Sequence, residues 1–91
     1  MYFFVKARVD VKKLGEYGQK LQNGEFSTHP LSTYCLMDEP SVGLNIWEAD
    51  NKEHFENSFL LHRKFYSEII EIAPVILPLE AMKKLMSGNA E

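Results

Sequence analysis

The chain is poor in cysteine, in clustered positive charge and in long apolar runs, and each shortage removes a class of protein. Its one cysteine, Cys35, cannot close an internal disulfide, so the fold must rest on packing alone, in agreement with a reducing compartment. Basic residues cluster no further than the pairs Lys12-Lys13 and Lys83-Lys84, and ten basic against thirteen acidic side chains leave a net charge of −3. Phosphate binding needs a concentrated positive face, so nucleic acid is not an expected partner. Nowhere do about 18 apolar residues run together, as a membrane span would require. The apolar opening YFFV meets Lys6 and Arg8 too soon for the core of a signal peptide. The protein therefore reads as cytoplasmic, with no membrane partner. A glycine-rich phosphate loop, a Cys-x-x-Cys pair, a nucleophile elbow and heptad repeats are all missing. His54 and His62 lie about 80° apart round a helix, whereas two ligands on one face would be four residues apart. Neither a metal nor a cofactor is expected.

What remains is an ordinary globular composition. Ninety-one residues, 45% apolar and 25% charged, suit a single domain over 1–91, but a chain this short buries only about 60–65% of its unfolded surface. Its core is small, and association would add to it.

Tyr2 to Val9 alternates as a strand does, with Phe3, Val5, Ala7 and Val9 on one face and Tyr2, Phe4, Lys6 and Arg8 on the other. Asp10 is placed to cap a helix over about 11–23, with Leu14, Tyr17, Gly18 and Leu21 near one line and Gly24 as its stop. The segment EFSTHP has no usable period and reads as a loop. A strand over about 31–38 and another from Gly43 to Trp47, joined through Glu39, Pro40 and Ser41, form the expected hairpin. Asp50 and Glu53 resemble a capping box at the head of a second helix. On that helix Phe59, His62 and Tyr66 fall within roughly 40° of Phe55 at about 100° per residue. The β-branched run from Ile69 to Ile76 then argues for a strand, at an edge or a bulge because Pro74 interrupts the ladder. Past a core of 1–78, LEAMKKLM predicts a short helix over 79–87, followed by the tail 88–91.

The order β-α-β-β-α-β plus a short helix is that of a ferredoxin-like α+β domain, an antiparallel sheet with both helices on one face. The strands are apolar on both faces, and a monomer rarely exposes a patch of that size. The expected partner is therefore a second copy of the chain, packed through the helix-free face.

The opening MYFFVKARV, the segment GLNIWEAD with its following helix, and the ending EIAPVI resemble the dimeric α+β barrel superfamily, in particular muconolactone isomerase-like small bacterial domains of unknown function. The resemblance runs from about Met1 to Leu77 and implies two ferredoxin-like sheets meeting face to face. It rests on apolar and capping patterns, and no catalytic motif of the superfamily transfers residue by residue. The function is left between a homodimeric protein that binds a small molecule or serves as an interaction module, and a cofactor-independent isomerase or monooxygenase-type enzyme acting on a small aromatic or carboxylated substrate with His62 as acid/base.

Several side chains are candidates for chemistry. His62, on an apolar helix stripe, is either a core histidine or an acid/base group at the floor of a helix–sheet pocket. His29 sits on a loop that can close over such a pocket. Lys6 and Arg8 can anchor a carboxylate, or pair with Glu48 across strands. Tyr34, Trp47 and Phe59 either line an aromatic-accepting site or belong to the core. Cys35 reads as a small buried apolar group rather than a nucleophile.

Overall fold

The structure is a computed structural model that describes residues 1–87; the predicted tail at 88–91 lies outside them. Four strands, β1 (Tyr2–Val9), β2 (Ser32–Cys35), β3 (Val42–Glu48) and β4 (Tyr66–Val75), form one antiparallel sheet in the order β2-β3-β1-β4. Among the described residues three α-helices accompany it: α1 (Leu14–Gln22), α2 (Lys52–Arg63) and α3 (Pro78–Met86). This α+β topology is compatible with the expected ferredoxin-like arrangement. Pro74 is accommodated because β4 is an edge strand.

Alternation along β1 decides the two faces. Phe3, Val5 and Ala7 are buried toward the helices, where Phe3 stands opposite Trp47 and Val5 opposite Asn45 on β3. Phe55 stacks on Phe3 at 4.5 Å between ring centroids, Phe59 lies 5.7 Å from Phe55, and Trp47 meets both edge-on. These residues form the core with Ala49, and Tyr66 and Ile69 pack against it. Two register shifts pass over Ile70 and Ser67 between β1 and β4. They set Ile69 and Tyr66 opposite Ala7 and Val9, toward the helices, and leave Glu68 opposite Arg8 on the other face.

The helix starts show where local sequence gave way to geometry. Asp10 does cap the first segment, accepting from Lys12 N at 3.0 Å, but it opens a 3₁₀ turn (Val11–Lys13) that runs into α1. Asn51, not Asp50, caps α2: its side chain accepts from His54 N at 2.8 Å. Asp50 N donates to His54 Nδ1 at 3.0 Å, so His54 supplies the reciprocal half of the box expected of Glu53. Asn51→Ala is expected to lower stability by about 1 kcal/mol, measured as a shift in the urea unfolding midpoint at unchanged m-value. The second helix also ends sooner than its stripe suggested. Tyr66 opens β4, and the buried Phe65 lies between the two elements.

The third helix extends away from the core. None of its residues is buried, and Leu79, Met82, Leu85 and Met86 are all exposed. The radius of gyration, 15.2 Å, exceeds the value of about 12 Å for a compact chain of this length.

Candidate functional site

The first helix covers the sheet without packing closely on it. It buries no residue, and its apolar side, Leu14, Tyr17 and Leu21, faces a cavity of about 620 Å³. The sheet supplies Thr33 and Cys35 from β2, Gly43 and Asn45 from β3 and Tyr66 from β4. Val9, Val11, His62 and the loop residues His29, Pro30, Pro40 and Ser41 complete the lining. Apolar residues at the first, fourth and eighth positions of a helix normally seal it to a core. Here they leave space for a guest molecule.

A cluster of rings forms one wall. Tyr17 stacks on Phe65 at 4.7 Å, and His62 stacks on Phe26 at 4.2 Å. His62 is only 1% exposed. Its Nε2 lies 2.9 Å from the Thr28 carbonyl and its Nδ1 lies 2.8 Å from the Tyr17 hydroxyl. A carbonyl oxygen can only accept, so Nε2 carries the proton and Nδ1 is the acceptor. The Tyr17 hydroxyl therefore donates to His62.

Burial dominates the protonation of this wall. It lowers the His62 pKa, as does the neighbouring His29, and the hydrogen bond to Thr28 only partly opposes it. Burial also raises the Tyr17 pKa well above the ordinary phenol value, with Tyr66 adding to the effect. Tyr66 is raised too, by burial first, with its contact to Tyr17 acting in the opposite sense. The wall is thus neutral near pH 7: two phenols that keep their protons and an imidazole of fixed tautomer. A proton taken up at the Tyr17 oxygen can be balanced by passing the hydroxyl proton to His62 Nδ1, with the Nε2–H bond to Thr28 left in place.

Of the residues expected to form a site, the fold brings His62 and His29 together, with ring centroids 6.4 Å apart. The others are placed elsewhere. Lys6 and Arg8 lie on the helix-free face, and Arg8 pairs with Glu39 and Glu68 rather than Glu48, which stands opposite Tyr2. Tyr34, on the same face, is 71% exposed. Trp47 is buried in the core with no partner among the described residues for its indole N–H, and Phe59 packs beside it. Phe59 also edges a second groove of about 630 Å³, between α2 and β4, with Met1, Phe3, Leu60, Ile72 and Pro74. Cys35 is exposed at the cavity instead of buried, because α1 does not close over the short edge strand β2. Among the described residues no three His, Cys, Asp or Glu side chains gather as a metal site would require. No described helix is long and apolar enough to cross a membrane.

Sequence reasoning passed over Tyr17 and Tyr66 as stripe residues, Asn45 as a strand residue and Phe26 as part of a loop without period. Strand parity carried a signal for Asn45, since Gly43, Asn45 and Trp47 share one face. Phe26, the single aromatic residue in a polar loop, was a second signal. Comparison of the chain with family models, with curated proteins and with solved structures found no match.

Proposed function

We propose that this is a homodimeric α+β barrel protein that binds a small molecule in the cavity between α1 and the sheet. The cavity itself carries the reading: its volume lies within the range of ligand sites, about 300–1,000 Å³, and its lining is mostly apolar with a few polar groups. An apolar guest would give Leu14 and Leu21 the burial that the chain alone does not provide. Two partly exposed surfaces support the dimer. Tyr2, Phe4, Leu44, Ile46 and Val75 place apolar side chains on the helix-free face. The apolar row of α3 follows directly from the same end of β4.

The hydrogen bond from Tyr17 to His62 favours a second reading, an acid/base enzyme in which Tyr17 passes its proton to His62 Nδ1 as its oxygen takes one from a bound substrate. Isomerase-type chemistry of the kind associated with muconolactone isomerase-like domains belongs to this reading. Loss of turnover in Tyr17→Phe with retained ligand binding would separate the enzyme from a carrier.

A thermal-shift panel of aromatic and aliphatic compounds tests the cavity. A true ligand at a hundredfold excess over its Kd adds about 2.7 kcal/mol, which raises Tm by about 10 °C or more in a domain of this size. Cys35→Trp places a large ring at the cavity from an exposed edge position. It should fold normally and lose the shift. An equal shift in this variant would place the ligand elsewhere.

A further inference from the structure

Asn45 occupies the middle of β3, opposite Val5 on one side and Thr33 on the other, and faces the cavity. It is 4% exposed. Among the described residues its carboxamide has no hydrogen-bond partner in the protein. Its polar atoms keep a little accessible surface, unlike the fully enclosed indole nitrogen of Trp47. A buried amide without a partner is costly, and such groups are rare unless a ligand or water meets them. The carboxamide is thus enclosed by the fold and open only toward the cavity.

The rest of the lining limits what can meet it. The cavity has no Lys, Arg, Asp or Glu side chain. The cations expected to anchor a carboxylate, Lys6 and Arg8, lie on the other face of the sheet, and Arg8 is engaged by two glutamates. His62 is kept neutral by burial, and its Nδ1 is already taken by the Tyr17 hydroxyl. A bound anion would lose its hydration and meet no lysine or arginine in the lining, only the exposed imidazole of His29. An uncharged hydroxyl or carbonyl group loses little and suits a carboxamide that both donates and accepts.

We propose that Asn45 is the polar anchor of the cavity and that its ligand is an uncharged, mainly apolar molecule carrying a hydroxyl or carbonyl group. This rests on the reading of the cavity as a small-molecule site and adds the class of molecule. It also makes Asn45 a binding residue whose cost is carried by the empty protein.

Four probes on one three-ring frame test it: fluorene, 9-fluorenone, 9-fluorenol and fluorene-9-carboxylate, titrated into the full chain by calorimetry, with Asn45→Leu and Asn45→Val alongside. The ketone and the alcohol should bind at least about 10-fold more tightly than fluorene, and the carboxylate at least about 10-fold more weakly than the ketone. Asn45→Leu and Asn45→Val should erase the advantage of ketone over fluorene. Their unliganded Tm should be equal to or above that of the wild type, because an unpartnered amide has been removed. A fall in Tm in both variants assigns Asn45 to structure and overturns the proposal. So does a carboxylate that binds as tightly as the ketone, or a ketone preference that survives in the variants. Equal binding of all four probes overturns the anchor while leaving the cavity as a binding site, whereas binding of none removes both.

Discussion

Ile46→Asp is expected to convert the proposed dimer to a monomer without unfolding the chain. Ile46 lies on the helix-free face opposite Phe4, and its side chain points away from the core formed with α2. In a two-fold interface each residue occurs twice, so one substitution introduces two carboxylates into the contact. At about 2–3 kcal/mol for each desolvated charge, the dimer would lose roughly 4–6 kcal/mol, a factor of about 10³–10⁴ in Kd. Sedimentation velocity at micromolar concentration should show the wild type as a dimer and the variant as a monomer, with unchanged far-ultraviolet circular dichroism. A wild type that sediments as a monomer at this concentration would remove the dimer from the account.

His62→Ala should be the most damaging of the substitutions at the site, costing about 3 kcal/mol. It removes the ring that stacks on Phe26 and leaves the Tyr17 hydroxyl and the Thr28 carbonyl without their partner. In a domain of this length the loss corresponds to a fall in Tm of about 12–24 °C. The same residue makes stability depend on pH. Its folded-state pKa lies below the unfolded value of about 6.5, because burial penalises the charged ring. In acid the unfolded chain therefore takes up a proton that the folded chain refuses. The contribution of His62 is fully present above about pH 6.5 and is lost as the pH falls toward the depressed folded value, with a limiting slope of about 1.4 kcal/mol per pH unit. Urea unfolding at pH 7.5, 6.5 and 5.5 should follow this decline, and His62→Gln should reduce it. An identical pH profile in the glutamine variant would show that His62 is not its source.

Much of the fold was readable because strands and helices announce themselves through short periods. The alternation of Phe3, Val5 and Ala7 and the stripe of Phe55, Phe59 and His62 each specify one buried face, whatever covers it. Capping was readable to within one residue. Asp50 and Asn51 are both competent caps, and the choice between them depends on where β3 releases the chain. The pairing of Arg8 was less accessible. Glu68 reaches it only because two bulges set the parity of β4, and such bulges leave no local signature in the residues around Ile70 and Ser67.

The sequence by itself determined the elements, their order, and the faces that β1 and α2 bury. Those properties follow from the spacing of side chains along a single strand or helix. Tertiary structure alone decided that α1 stands off the sheet and that Tyr17, His62 and Asn45 border one cavity. It also decided that Lys6, Arg8 and Tyr34 lie across the sheet from that cavity. A site of this kind is made from residues 17, 45 and 62, brought together by strand order and helix packing. No period within one element carries the distance between two of them.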